Sequence, residues 1–294
     1  MKYGAIDIGS NAVRLLIGEV REKNDKISIR KLSLIRVPIR LGESVFEGGT
    51  ISKLKADKLI KSMKAFLLLN DIYETQGLMT YATSAMREAK NKEEIIERVK
   101  KETRLEIEVI SGQKEADMLF STFFLKSFKK DKSYLYIDVG GGSTEITLLR
   151  NGEKIKSKSF RLGTVRSIFG KVAEKTWDEL RQYILELCQG EKNITAIGTG
   201  GNINRLFKMS KLQYGDPLPL DTLIELSELI NSLSFEERIE KLYLRPDRAD
   251  VIVPAAKIYR TIMEVANIKK IIVPKIGLTD GMILTQYKRD KQKN

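Results

Sequence analysis

The chain carries one short pattern twice, far apart. Ala5-Ile6-Asp7-Ile8-Gly9-Ser10-Asn11 and Ile137-Asp138-Val139-Gly140-Gly141-Gly142-Ser143-Thr144-Glu145 each set an Asp between apolar residues, then glycine, then small polar residues. Each runs on into an apolar stretch, Val13 to Val20 in one case and Ile146 to Leu149 in the other. The reading is a strand, a glycine turn and a second strand. Glycine lets the backbone come close to a ligand because no Cβ stands in the way. Successive N–H groups in such a turn form a concave anion site, to which Ser143 and Thr144 add hydroxyl donors. Asp138 and Glu145 bracket the second turn with two carboxylates, which suit a hard cation such as Mg²⁺. A plain glycine-rich hairpin with its acids in water is the alternative. Two copies imply two related halves facing each other across a cleft, able to grip a phosphate chain from both sides.

Composition narrows the chemistry. The 294 residues suffice for two domains, and the 42% apolar share can fill their cores. Fifty-two Lys and Arg against thirty-nine Asp and Glu leave a formal charge of +13, which favours a polyanionic partner. Part of that charge belongs to a solvated surface, as in Asn91-Lys92-Glu93-Glu94. There is no histidine, so proton transfer falls to carboxylate, Lys or Tyr. The single cysteine, Cys188, lies in an apolar helical pattern and reads as a buried bystander. The chain enters a strand at Tyr3 with no leader before it, and no apolar run approaches the ~18 residues that a membrane span needs. A cytoplasmic location without a membrane partner is expected.

Alternating patterns predict strands at Tyr3–Ile8, Val13–Val20, Ile27–Ile39, Gly77–Tyr81, Leu105–Ile110, Tyr134–Val139, Thr144–Leu149, Lys154–Phe160, Thr195–Gly198 and Ile271–Val273. Helices are expected from Ser52 to about Leu69, after Ala82-Thr83-Ser84, after Asn91, and from Ser111-Gly112. The last becomes strongly apolar through Phe123-Phe124-Leu125. Others are expected from a Thr176/Glu179 capping box to Cys188, after Gly198-Thr199-Gly200-Gly201, and after a Ser234/Glu237 capping box. A long helix from about Asp247 to Val265 carries Pro254, a candidate kink, and a final helix begins near Leu278. Gly42 to Gly49 reads as a mobile loop and the basic tail from Lys288 as a frayed end. The domain boundary falls in the basic connector, giving 1–125 and 126–294, with the last helix able to pack back on the N-terminal domain. Strands and helices alternate in both halves, which argues for α/β layers.

Three further residues bear on chemistry. Glu115 stands in the first turn of its helix, where it either takes a proton from water or complements the macrodipole. Arg87 follows two hydroxyl residues at a strand-to-helix turn, a place where a cation can meet phosphate. Arg14, between apolar neighbours on a strand, is a cleft cation or a strand-edge Arg.

Taken together, Ile6 to Asn11, Ala82-Thr83-Ser84-Ala85 with Arg87, Ser111-Gly112 with Glu115-Ala116, Asp138 to Glu145, Gly198-Thr199-Gly200-Gly201 and Arg248-Ala249-Asp250-Val251-Ile252-Val253-Pro254 occur in a recognisable order. The sequence resembles the exopolyphosphatase / guanosine pentaphosphate phosphohydrolase family over about its whole length, in the short two-domain form. The resemblance implies two RNase H-like α/β domains of the actin-like ATPase superfamily on either side of a cleft. It implies Mg²⁺- or Mn²⁺-dependent hydrolysis of a phosphoanhydride, with inorganic polyphosphate as the expected substrate and guanosine pentaphosphate as the alternative. Glu115 matches the general base. Asp138 and Glu145 match the metal-side acids, and Asp7 is the third candidate ligand. Asn11, Arg87 and Gly140, Gly141, Gly142 and Ser143 match phosphate contacts, to which Ser10, Arg14, Thr83 and Gly200 are added. Lys114, Ala12, Ala255 and Thr279 depart from the family pattern. A homodimer is compatible with the family, as is a preference for shorter chains. The rivals are an acceptor-dependent kinase of the same fold and a non-catalytic sensor of polyphosphate or guanosine pentaphosphate. No recognised motif supports a nucleic-acid partner.

Overall fold

A computed structural model describes residues 1–24, 26–122, 129, 132–191 and 193–293. The chain divides into two compact units, Met1–Phe128 with Ile276–Asn294, and Lys129–Lys275. The expected boundary at 125/126 and the apolar run Phe123-Phe124-Leu125 lie outside the described residues.

The first unit opens with β1 (Lys2–Ile8), β2 (Val13–Lys23) and β3 (Lys26–Val37), an antiparallel meander. There follow α1 (Leu41–Gly48), α2 (Lys53–Ile72), β4 (Leu78–Ala82), α3 (Ser84–Glu88), α4 (Lys92–Thr103), β5 (Glu108–Val109) and α5 (Gly112–Ser121). The sheet order is β3-β2-β1-β4-β5, and β4 runs parallel to both its neighbours. From Tyr3 to Ile8 every residue of β1 is buried, as a central strand covered on both faces requires.

The second unit repeats the plan. Its elements are β6 (Tyr134–Val139), β7 (Thr144–Arg150), β8 (Glu153–Phe160), α6 (Thr164–Ile168), α7 (Glu174–Cys188), β9 (Thr195–Thr199), α8 (Gly201–Met209), β10 (Leu218–Pro219), α9 (Leu220–Ser232), α10 (Phe235–Glu240), α11 (Pro246–Ala249), α12 (Ile252–Val265) and β11 (Lys270–Ile272). The order β8-β7-β6-β9-β11-β10 again has an antiparallel meander beside parallel neighbours of the central strand. One core joins Leu135, Ile137 and Ile146 of the sheet to Trp177, Leu180, Tyr259 and Met263 of the helices.

The last helix, α13 (Leu278–Lys293), belongs to the first unit. Gln286 Nε2 donates to Gly4 O at 2.9 Å, and Lys31 pairs with Asp280 at 3.0 Å. A Cβ on Gly281 would lie 2.3 Å from Met118 O, so only glycine lets α13 cross α5 this closely.

Several expectations need correction. Residues 42–48 are helical, because Leu41, Val45 and Phe46 share one buried face. The helix ends at Gly49, whose φ of 78° suits glycine. The Thr176/Glu179 capping box is absent, since α7 begins two residues before Thr176, after Ala173. Residues 247–265 form two helices broken at Asp250-Val251, and Pro254 sits in the first turn of α12, where its missing N–H costs nothing. The basic end of α13 is helical to Lys293, with Lys291 bonded to Glu22 at 2.7 and 2.8 Å. The expected strand at 105–110 shrinks to Glu108–Val109. Helix α9 was not expected, although Leu220, Leu223, Ile224 and Ile230 fall at helical spacing, and strand β10 is two residues long, too short to show a period.

Candidate active site

In the second unit, β6 delivers Asp138 to the mouth of the glycine turn and β7 returns with Glu145 directly opposite in the strand register. Each offers a carboxylate oxygen within 4.8 Å of the other. The turn closes by Gly140 N–H donating to Ser143 O at 2.9 Å. A Cβ on Gly140 would stand 3.2 Å from that same oxygen.

The carbonyls of Gly140, Gly141 and Gly142 point at the start of α6. Gly140 O accepts from Thr164 N–H at 3.0 Å, Gly141 O from Val165 and Arg166 N–H at 2.8 and 3.1 Å, and Gly142 O from the buried Arg166 Nε at 2.8 Å. In a trans peptide the C=O and the next N–H point in opposite directions, and the chain has no cis bond. The amides of Gly141, Gly142 and Ser143 therefore face away from α6 together, as a three-donor cradle. Gly163 makes this possible: a Cβ there would lie 2.4 Å from Gly142 C and 2.5 Å from Gly141 C and O.

Hydroxyls hold the two acids. Thr199 Oγ1 donates to Asp138 Oδ1 at 2.5 Å, and Ser159 Oγ donates to Glu145 Oε1 at 2.7 Å. Behind Thr199, the buried Tyr259 hydroxyl donates to Thr199 O. Burial, then the nearby Asp138 charge, pushes the Tyr259 pKa well above 10, so it remains a donor. Gly200 follows with φ 107°, and a Cβ there would press on Val139 O at 3.0 Å and Asp138 Oδ1 at 3.5 Å. The carboxylate pair, set by strand register and oriented by neutral donors, fits a hard divalent cation.

The first unit repeats the turn. Gly9 N–H donates to Ala12 O at 3.2 Å. Here the backing helix is α1: Ser10 O accepts from Gly42 N–H at 2.8 Å and Asn11 O from Arg40 N–H at 3.0 Å. The amides of Asn11 and Ala12 thus face away from α1. Gly42 plays the part of Gly163, its Cβ position lying 3.0 Å from Ser10 Cβ. Ser10 Oγ meets Ser84 Oγ at 2.8 Å, and Thr83 N–H donates to Ile8 O at 3.1 Å. Arg14 pairs with the buried Asp7 at 2.6 Å. Arg87 is held farther along, its Nη1 donating to Ile110 O at 2.5 Å.

Glu115 is buried in the first turn of α5, whose cap is Ser111, with its Oγ accepting from Lys114 N–H at 3.1 Å. The Lys114 ammonium turns aside, to the Glu108 carboxylate and the Tyr81 ring, 4.9 Å from its centroid. The hydrogen bond to Glu108 raises its pKa, so its charge is already answered.

Thus the structure gathers Asp138, Glu145, Gly140–Ser143 and Gly200 in the second unit, and Asp7, Arg14, Ser10, Asn11 and Thr83 in the first. Sequence reasoning missed Thr199, Ser159, Gly163, Arg166, Ser84 and Gly42. Thr199 and Ser84 had a signal, one standing inside a glycine motif and the other inside Ala82-Thr83-Ser84-Ala85.

Two RNase H-like sheets, each with a glycine turn after its central strand, define the actin-like ATPase fold class. Comparison with known proteins goes further. The model of the Ppx/GppA phosphatase family matches residues 20–290. A bifunctional 3-dehydroquinate synthase/phosphatase of Fusobacterium nucleatum is 31% identical over 95% of this chain, which spans 46% of that protein's length. Exopolyphosphatase 1 of Mycobacterium bovis is 26% identical over 97% of this chain and 88% of its own. A guanosine-5′-triphosphate,3′-diphosphate pyrophosphatase of Aliivibrio fischeri is 25% identical over 95% of this chain and 58% of its own. Among solved structures, the Aquifex aeolicus Ppx/GppA family member has 26% identity and a TM-score of 0.77, covering 99% and 98% of the two chains. The chain belongs to the Ppx/GppA phosphatase family, and it is a phosphoanhydride hydrolase by that membership. No described helix is long and apolar enough to cross a membrane.

Proposed function

We propose that the chain is an exopolyphosphatase that releases orthophosphate from the end of inorganic polyphosphate. The amide cradle at Gly141, Gly142 and Ser143, with Asp138 and Glu145 at its rim, is the observation that carries this reading. The +13 charge suits a substrate bearing one negative charge or more per phosphate.

The cradle and the amides of Asn11 and Ala12 bind phosphoryl oxygens, and Ser10, Thr83, Arg14 and Arg87 add polar and cationic partners. Mg²⁺ or Mn²⁺ on Asp138 and Glu145 would neutralise charge on the transferred phosphoryl group. Glu115 orients a water and takes its proton. Positioning and electrostatics dominate phosphoryl transfer, so this small set is sufficient. The absence of histidine leaves a carboxylate as the natural base.

The test is phosphate release from tripolyphosphate, long polyphosphate and guanosine pentaphosphate, each with and without Mg²⁺. Metal-dependent release from polyphosphate without an acceptor is expected. Release from guanosine pentaphosphate alone would reassign the substrate. Tight polyphosphate binding without release would make the chain a sensor, and ATP turnover tied to an acceptor would make it a kinase.

A further inference from the structure

A cavity of about 500 Å³ lies within the second unit, and none of Asp138, Gly140 to Ser143 or Glu145 lines it. That volume suits a small molecule. Ile168 of α6, Trp177 of α7, Phe235 of α10 and Val253 and Pro254 of α12 supply its apolar lining. Trp177 is buried, while Ile168 and Phe235 stay partly open to solvent. Two cations and one acid complete the lining, Arg238, Lys257 and Asp250. Arg238 Nε donates to Ile230 O at 2.8 Å and its Nη1 to Ala249 O at 3.2 Å. Lys257 is exposed, with its ammonium 5.1 Å from the centre of the Trp177 ring. Neither cation is paired with a carboxylate among the described residues. Asp250 Oδ1 accepts from Val251 N–H at 2.7 Å. The cavity thus joins aromatic walls to an excess of positive charge.

We propose that this cavity is a regulatory site for a small aromatic anion, with its ring beside Trp177 and Phe235 and its charge beside Lys257 and Arg238. Two of the walls also hold the candidate active site. Helix α6, which ends at Ile168, begins with the N–H groups that donate to Gly140 O and Gly141 O. Arg166, two residues before Ile168, donates to Gly142 O. Helix α12 carries Tyr259 two residues after Lys257, and Tyr259 fixes Thr199, whose hydroxyl orients Asp138. Helices α6 and α12 pack on each other. Close-packed interiors transmit strain, so a ligand lodged against both helices displaces the turn and the acid without touching substrate.

The test adds anilinonaphthalene sulfonate, an aromatic anion, to the full-length chain. Trp177 is the single tryptophan of the sequence, so its emission reports on the cavity. Saturable quenching of that emission is expected. Phenylnaphthylamine, which has the same rings without the sulfonate, should bind about tenfold more weakly. Lys257→Glu reverses a charge at an exposed position. It should weaken the sulfonate about tenfold and leave phosphate release without probe unchanged. Lys208→Glu, an exposed lysine of α8 outside the cavity, controls for net charge and should bind as wild type does. At saturating probe, kcat for tripolyphosphate should fall about 10- to 100-fold with KM unchanged. Absence of quenching, equal binding of the neutral probe, or equal weakening by Lys257→Glu and Lys208→Glu overturns the site. A constant kcat at saturating probe overturns its regulatory role, and a rise in KM alone means that the probe competes with substrate and overturns it too. Absence of phosphate release from the chain without probe is instead a failure of the proposed activity, and the fluorescence measurements still decide the site.

Discussion

The Thr199 hydroxyl donates to Asp138 Oδ1 across the pair of parallel strands β6 and β9, where the two residues are register partners. Thr199 is almost wholly buried, and its own carbonyl is held by Tyr259. The acid is thus fixed from behind by a neutral donor that leaves its charge intact. Thr199→Val keeps the shape and deletes the donor. Loss of such an orienting partner typically weakens metal binding about 10- to 100-fold. The Mg²⁺ concentration for half-maximal phosphate release should rise accordingly, with turnover at saturating Mg²⁺ much less affected. A fall in turnover with no change in Mg²⁺ dependence would show that Thr199 only supports the fold.

Glu115 is tested by Glu115→Gln, which keeps the volume and removes the base. General-base help is worth about 10²–10⁴-fold, so kcat should fall by that order. KM for polyphosphate should stay close to wild type, because substrate contacts lie on the turns. Equal losses in kcat and in substrate affinity would mean that Glu115 holds the start of α5 and does no chemistry.

Much of the fold was legible because it rests on local signals. The two Asp-glycine turns gave both hairpins and the internal duplication, and the alternation in β3 and β8 gave the meanders. The support of the site was less legible. Helix α1 has an apolar face of only Leu41, Val45 and Phe46 among glycines, and its purpose, receiving the carbonyls of Ser10 and Asn11, is a tertiary fact. Ser159 reaches Glu145 through the pairing of β7 with β8, whose register shifts at Leu148/Leu149, and nothing local in the sequence reports such a shift. The pairing of Arg14 with Asp7 needed the same kind of information, since the hairpin register decides which residues face each other.

Gly163 gives a steric test of the cradle. Its Cβ position falls 2.4–2.5 Å from backbone atoms of Gly141 and Gly142, so neither side can yield by rotating a side chain. Gly163→Ala must push the turn and α6 apart. Misplacement on the scale of an ångström can cost about 10²-fold in rate, and a loss of that order is expected. Gly48→Ala is the control. It lies in α1 with nothing within 4 Å of its Cβ position, so it should be neutral or stabilise by about 0.5–1 kcal/mol. If Gly163→Ala melts with wild type and keeps full activity, the close fit of α6 against the turn is not required.

Asp280 makes the packing of α13 depend on pH in a direction that can be worked out. Its carboxyl bonds to Gly277 N–H at 2.9 Å and to Lys31 at 3.0 Å, yet burial outweighs both and raises its pKa above the usual 3.8. A raised carboxyl pKa means that the folded chain holds the proton more tightly than the unfolded chain does. Between the ordinary and the raised value the folded state binds more protons, so this group's contribution to stability falls as pH rises through that window. Below the window Asp280 is protonated in both states and contributes no such penalty. Asp280→Asn mimics the protonated form, keeps an acceptor for Gly277 and does not titrate. The melting temperature of Asp280→Asn minus that of wild type should therefore increase from about pH 3 towards neutrality, where the wild type carries a buried charge. Other carboxylates, such as Glu43, whose pKa is lowered in the folded chain, are common to both proteins and cancel in the difference. A difference that decreases with pH would show that the ion pair with Lys31 outweighs burial and that the carboxylate stabilises α13 in its ionised form.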